Sequence, residues 1–423
     1  MSGAKKARRG VRKPNGPLYF ALVVLLTPVL KICFRVKVDR KAYAPPKKGS
    51  FVVLCNHESF MDFVLSMWSV YPRRLNAVAA LKFYYYPALR RILNPMGAIS
   101  KSLFDPDPKA IMGILSVIKR GGALLLFPEG RCSTDGAYAG MHKATGKLLK
   151  KLRVPVVSCR VEGAYVCMPF WRKGIRFGRE YVTLANLFTA EDTQRLSVDE
   201  INSRIDARLS GADSAAAPKR LGTARARDLT QGLENILYHC PRCGKEFTLR
   251  TERNMIICDS CGGAAEMRRD ATLSPLRESA FPSSVRQWFA LQAARETERI
   301  RENPGAEYVR IDTVVRMRPP GGDGLAECGR GELWLNREGW HYAGTLRGEY
   351  TRMDFALETV PAMPFDPCDN FQIYSQGLLY AFTPAENRRA CVKYSLIGEA
   401  AYRCFSAAPQ TTPAACFRAQ TDG

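Results

Sequence analysis

From residue 50 onward the chain alternates short, almost wholly apolar runs with stretches of helical period. FVVLC (51–55), NAVAAL (76–81), GALLLF (122–127) and VPVVSCRV (154–161) are apolar at consecutive positions, so strands built from them must be covered on both faces. Between them FYYYPALRRIL (83–93), PKAIMGILSVIKR (108–120) and HKATGKLLKKL (142–152) read as helices with one buried face. Strands alternating with helices predict an α/β layer around a largely parallel sheet.

SVDEINSRIDARL (197–209) opens with Ser197 and Glu200 in capping-box spacing, which predicts a last helix before a small, polar and basic linker. The 423 residues are too many for one ordinary domain. The expected division is a basic N-terminus with a membrane-associating helix (1–35), an α/β domain (36–215), a linker (216–235), a cysteine module (236–270), a β-rich domain (271–407) and a disordered tail (408–423). The β-rich part follows from PSSVRQWFALQAARETERIRE (282–302), a charged helix, and then EYVRIDTVVRM, RGELWLNREGWHYAG and DNFQIYSQGLLYAF, which alternate and break at glycines as hairpins do.

The formal charge of +23, from 63 Lys and Arg against 40 Asp and Glu, calls for acidic surroundings: lipid headgroups, nucleic acid or an anionic substrate. The N-terminus narrows the choice. Six basic residues without an acid precede LYFALVVLLTPVL (18–30), whose 13 positions make about 20 Å of helix, shorter than the roughly 30 Å hydrocarbon core. Residues 17–34 are therefore expected to form a membrane-embedded or interfacial helix, kinked at Pro28, with its basic end on the cytoplasmic side; the other reading is the core helix of a soluble domain. The basic flank is also like a signal-peptide n-region, but KICFRVKV follows in place of a small-residue cleavage site. MPFWRKGIRFGRE (168–180), with Trp171, Arg172, Lys173, Arg176 and Arg179, is expected to touch headgroups.

Only four histidines occur, and one, His57, lies in CNHESFMDF just past a strand end, where open α/β sheets place ligands, with Asp62 opening the next apolar pattern. A neutral imidazole can take a proton from a hydroxyl, and a carboxylate on its other nitrogen sets tautomer and direction. GGALLLFPEGRCSTDG is a second strand ending in Glu129, Gly130 and Arg131; the guanidinium suits a phosphate, and Gly130 and Gly136 permit close backbone approach. Cys55 or Ser59 beside His57 would be needed for a covalent acyl-enzyme, but contact across a strand-to-helix turn is not assured and no GxSxG elbow occurs.

NHESFMDF, FPEGRCS some 65 residues later and RVPVVSCRVEGAY together resemble the three signature blocks of the glycerolipid acyltransferase family, which acylates glycerol 3-phosphate and lysophosphatidic acid. The resemblance covers roughly residues 15–210. It implies His57 as general base, Asp62 as its orienter, and Glu129, Gly130 and Arg131 on the acceptor phosphate side. It also implies an acyl-CoA or acyl-carrier-protein donor, a lysophospholipid acceptor such as 1-acylglycerol 3-phosphate, a membrane surface as partner, and no cofactor in the catalytic domain. Two departures stand out: Cys132 occupies the place of the usual arginine, and in MGAISKSLF only Lys101 is cationic where the family has an arginine.

CPRCGKEFTLRTERNMIICDSCGG places Cys240, Cys243, Cys258 and Cys261 as CxxC, fourteen residues, CxxC, each pair followed by glycine, as in a structural zinc ribbon. Fourteen cysteines with four so arranged point to a reducing compartment. Nucleic acid is not an expected partner, because the ribbon has no stacking aromatic cluster, although the basic linker would fit one. The expectation is an acyltransferase of phospholipid biosynthesis on the cytoplasmic face of the cell membrane; the alternative is a catalytically silent lipid- or nucleic-acid-binding adaptor on that scaffold.

Overall fold

The computed structural model describes residues 10–44, 46, 48–141, 143–212, 222–276 and 279–406. The tail expected beyond 407, and Lys219 and Arg220 of the linker, lie outside them.

The strands β1 (Lys37–Ala42), β2 (Phe51–Cys55), β3 (Leu75–Ala80), β4 (Ile99–Lys101), β5 (Ala123–Leu126) and β6 (Val156–Glu162) join Tyr181–Phe188 in one seven-stranded sheet. Its order is β1, Tyr181–Phe188, β6, β2, β5, β3, β4, and each pairing is parallel except that of Tyr181–Phe188 with β6. Every residue of β2, β5 and β6 is buried, because helices cover both faces. On one face Phe51, Val53, Cys55, Leu125, Val157 and Cys159 pack with Val64, Leu65 and Met67 of the helix Asp62–Ser69. On the other Val52, Leu54, Leu124 and Val156 meet Ile114 and Val117 of Pro108–Lys119, Leu149 of Ala144–Leu152, and Ile201 and Ile205 of Val198–Ser210. The capping box at Ser197 and Glu200 is present, each side chain closing on the other's backbone N–H.

Residues 83–93 are not one helix. A 3-10 segment, Leu81–Tyr85, stops at extended Tyr86, and an α-helix restarts at Pro87, since the residue before a proline is pushed out of the helical region.

Gly16–Cys33 is a continuous helix, long and apolar enough by length and composition to cross a membrane. Its stretch Phe20–Leu25 opens into π-helix just ahead of Pro28, whose ring crowds the preceding turn and which offers no N–H. Tyr19, Val23, Thr27 and Leu30 are buried on the sheet side, while Phe20, Leu25, Val29 and Ile32 stand exposed, Ile32 at 79%. The segment is thus buried on one face and exposes apolar side chains on the other.

Beyond residue 222, Leu249–Glu252, Met255–Cys258, Ala264–Met267 and Leu273–Leu276 make a small antiparallel sheet. A second seven-stranded sheet, antiparallel throughout, follows from Val309 to Pro384, with the helices Val285–Glu302 and Cys391–Phe405 packed together beside it. One buried cluster runs from Tyr165 and Trp171 through Tyr238 and Ile256 to Trp288, Trp340 and Phe371, so the α/β layer, the cysteine module and the C-terminal sheet share a core. Polar ties add to it: Lys82 with Asp366 at 2.8 Å, Asp105 accepting from the Gly377 N–H at 2.9 Å, and Arg131 with Glu399.

Arg131 gives both guanidinium nitrogens to the two oxygens of Glu399, one at 3.0 Å, and Glu399 also accepts from the Met363 N–H at 3.2 Å. Glu399→Ala strands a partly buried guanidinium. It is expected to cost about 3 kcal/mol, the low end for a broken buried pair because Arg131 keeps a quarter of its side-chain exposure, read as a lower urea midpoint.

Candidate active site

The site is built where β2 and β5 end. Asn56, the first residue past β2, donates its amide N–H to the Val161 carbonyl and accepts from the Val161 N–H, both at 2.7 Å, so a side chain acts as one more strand residue against β6. The chain then turns, and His57 is held by its own peptide. Its N–H donates to Glu129 Oε1 at 2.7 Å, and its carbonyl accepts from the Ser133 N–H at 2.7 Å. The other Glu129 oxygen accepts from the Ala139 N–H at 2.9 Å. Burial pushes the Glu129 carboxyl up to about 7, against the pull of these two N–H donors.

Asp62 opens the next helix with no exposed surface. Its Oδ2 lies 3.2 Å from His57 Nδ1 and accepts from the Ser59 N–H at 2.8 Å, while its Oδ1 accepts from the Ser59 hydroxyl at 3.0 Å. The imidazole stacks on Phe127 at 4.1 Å, and its Nε2 meets Cys132 Sγ at 3.2 Å. Burial works against the imidazolium, but the negative charge offered by Cys132 and Asp62 outweighs it and raises the His57 pKa well above the ordinary histidine value. His57 keeps 18% of its side chain exposed, so one edge is open to solvent.

The structure brings His57, Asp62, Glu129 and Gly130 together. Gly130 needs its glycine: φ is +74°, and a Cβ would stand 3.1 Å from the Phe104 ring. The two expected cations are engaged elsewhere. Arg131 is paired with Glu399, and Lys101 Nζ donates to the Ser102 and Asp105 carbonyls at 2.8 and 3.0 Å, half-buried, with burial lowering its pKa. Neither rival nucleophile faces the imidazole: Ser59 Oγ is given to Asp62, and Cys55 is buried in the core, accepting from Ser66 Oγ at 3.1 Å. Sequence reasoning missed the anchoring by Asn56 and Ser133, the stacking by Phe127 and the position of Cys132; the Asn56 and Cys132 motif places alone pointed to the site.

Part of the expected headgroup stretch turns inward. Trp171 and Arg176 are buried, Arg176 with its cation 5.1 Å from the Trp171 ring and its pKa brought down to about 10 by desolvation, and Arg172 is paired with Asp228. The exposed apolar side chains there are Ile175 and Phe177.

Cys240, Cys243, Cys258 and Cys261 bring their sulfurs within 4.8 Å of one another. Cys240 to Cys261 and Cys243 to Cys258 are each 3.8 Å, far beyond a disulfide. A tetrahedron of sulfurs bound at about 2.3 Å has edges of about 3.8 Å, so the four residues fit a metal ion with no open position.

A helix-flanked sheet thus presents a histidine, an aspartate and a glutamate at adjoining strand ends. Residues 35–162 match the acyltransferase family model. Similar curated proteins are the chloroplastic 1-acyl-sn-glycerol-3-phosphate acyltransferase of Brassica napus, 27% identical over 31% of this chain and 38% of its own length, and a 1-acyl-sn-glycerol-3-phosphate acyltransferase of Cocos nucifera, 24% identical over 37% and 50%. The chain thus spans half or less of the length of these relatives. Among solved structures, the 1-acyl-sn-glycerophosphate acyltransferase PlsC of Thermotoga maritima aligns with a TM-score of 0.40 and 17% identity, over 47% of this chain and 81% of that one. Residues 35–162 of the α/β part are thus similar to acyltransferases of this kind.

Asn56→Ala leaves the Val161 N–H and carbonyl unpaired in the interior. An expected cost of about 1–3 kcal/mol should appear as a lower urea midpoint, with slower turnover as the His57 turn loosens.

Proposed function

We propose that this chain moves a fatty acyl group from a coenzyme A or acyl-carrier-protein thioester to the hydroxyl of a lysophospholipid, 1-acylglycerol 3-phosphate first among them, in phospholipid synthesis at the cytoplasmic face of the cell membrane. The observation that carries this reading is His57 Nδ1 at 3.2 Å from an Asp62 carboxylate that Ser59 holds from two sides. Asp62 accepts a hydrogen bond from Nδ1–H, which leaves Nε2 as the nitrogen that takes a proton. Over the whole transfer the acceptor oxygen forms the new ester, the acceptor hydroxyl gives up its proton through that nitrogen, and the carrier is released as a thiol.

On this reading Glu129 and Gly130 shape the acceptor side, and Arg131 and Lys101 are its cations. Arg131 reaches a phosphate only by exchanging Glu399 for it, so selection for a phosphate headgroup should be weak. The outward face of the N-terminal helix, with Phe20, Leu25, Val29 and Ile32, supports seating on a lipid surface. We assign zinc to the cysteine module as a structural ion, which ties residues 236–270 into a fold too small to hold a core of its own. The second reading, a silent adaptor, draws on the engaged state of Arg131 and on the thiol at His57 Nε2.

His57→Ala is expected to lower acyl transfer about 10²–10⁴-fold in a thioester-release assay over a panel of lysolipids, with vesicle binding unchanged. Wild-type protein that forms no two-chain product with any acceptor would favour the adaptor. Metal analysis should give one zinc per chain. Its loss in Cys258→Ser should expose the C-terminal sheet to protease, and a metal-free protein of unchanged protease resistance would end the zinc assignment.

A further inference from the structure

The nitrogen that a lipid hydroxyl would need is already in contact with a thiol. Cys132 Sγ lies 3.2 Å from His57 Nε2, and His57 Nδ1 lies 3.2 Å from Asp62 Oδ2, so thiol, imidazole and carboxylate stand in one relay. The backbone holds the two residues side by side. The Ser133 N–H, next to Cys132, is bonded to the His57 carbonyl, and the His57 N–H is bonded to Glu129 in the same loop. Direct attack by a lipid hydroxyl requires the thiol to move away; attack by the thiol requires no movement. A cysteine paired with a base is the stronger nucleophile near neutral pH, and exchange of one thioester for another is close to balanced in energy. Cys132 is also only partly buried, as a group that meets a substrate must be, whereas Cys55 and Cys159 lie in the core.

We propose that Cys132 takes the acyl group before the lipid does, so that the chain works through an S-acyl intermediate. This rests on the reading that the chain draws acyl groups from a thioester. In the first step His57 accepts the Cys132 proton, Sγ bonds to the thioester carbonyl carbon, the carbon–sulfur bond to the carrier breaks, and the departing thiolate takes the proton from His57. In the second the acceptor oxygen attacks the Cys132 thioester, His57 accepts the hydroxyl proton, the bond to Sγ breaks, and Sγ takes that proton back. No oxidant, reductant or cofactor enters either step. The titratable groups facing the imidazole are Cys132, Asp62 and Glu129. Acylation removes the first, so His57 loses part of what holds its proton just when it must serve as base for the alcohol.

The test uses full-length, metal-loaded protein with radiolabelled palmitoyl-CoA and no acceptor, quenched in acid and mapped by mass spectrometry. One hydroxylamine-sensitive acyl group per chain is expected on Cys132, discharged when 1-acylglycerol 3-phosphate is added, and missing in His57→Ala. Cys132→Ala should lose both label and transfer, by about 100-fold or more, with its melting temperature kept. Cys132→Ser, which retains a nucleophilic oxygen, should build up a hydroxylamine-resistant ester. Transfer that persists in folded Cys132→Ala, or wild-type protein that carries no label, overturns the proposal. Should wild-type protein label Cys132 yet pass the acyl group to no lysolipid, the S-acyl step stands and the acceptor reading falls.

Discussion

The structure turns on how the His57 peptide is clamped. Glu129 accepts its N–H and Ser133 donates to its carbonyl, so the ends of β2 and β5 are joined through one residue's main chain. The His57 backbone placed this way cannot drift relative to the loop after β5. The arrangement needs a buried carboxylate, which is costly unless its oxygens are bonded, and Glu129 meets that condition with the His57 and Ala139 N–H groups. Asn56 holds the same turn from the other side through Val161.

That clamp also governs what the rest of the chain contributes. The loop that bears Cys132 is fixed at one end by Glu129, and at Arg131 it is fixed to Glu399 of a helix 268 positions away. The C-terminal sheet is therefore part of the environment of the site and not a separate appendage. Its core runs without interruption into the cysteine module and on to Tyr165, whose ring a Cβ at Gly136 would strike at 2.7 Å.

Much of the architecture was legible because burial leaves a local trace. Strands covered on both faces read as unbroken apolar runs, the Ser197 box announced its helix, and CxxC spacing announced a four-sulfur cluster. His57 and Asp62 were legible because they sit five residues apart on one turn. What escaped was long-range or side-chain in origin. No period in FWRKGIRF says that Trp171 and Arg176 turn inward, and nothing near Arg131 names Glu399 as its partner. The helix Cys391–Phe405 was missed because it is buried nearly all round between Cys391 and Ala401, so it lacks the single apolar stripe that marks a surface helix. Cys132 was seen as a departure from a motif, but only the fold brings it to His57.

The helix Gly16–Cys33 has a consequence for handling the molecule. Tyr19, Val23, Thr27 and Leu30 fill space between the sheet and the helix Asp62–Ser69, and the Tyr19 hydroxyl accepts from the Leu75 N–H at 3.3 Å. Trimming this segment to obtain a detergent-free protein would open a gap beneath β3 and remove part of the interior. Greasiness on the outside and solidity within are here properties of the same eighteen residues.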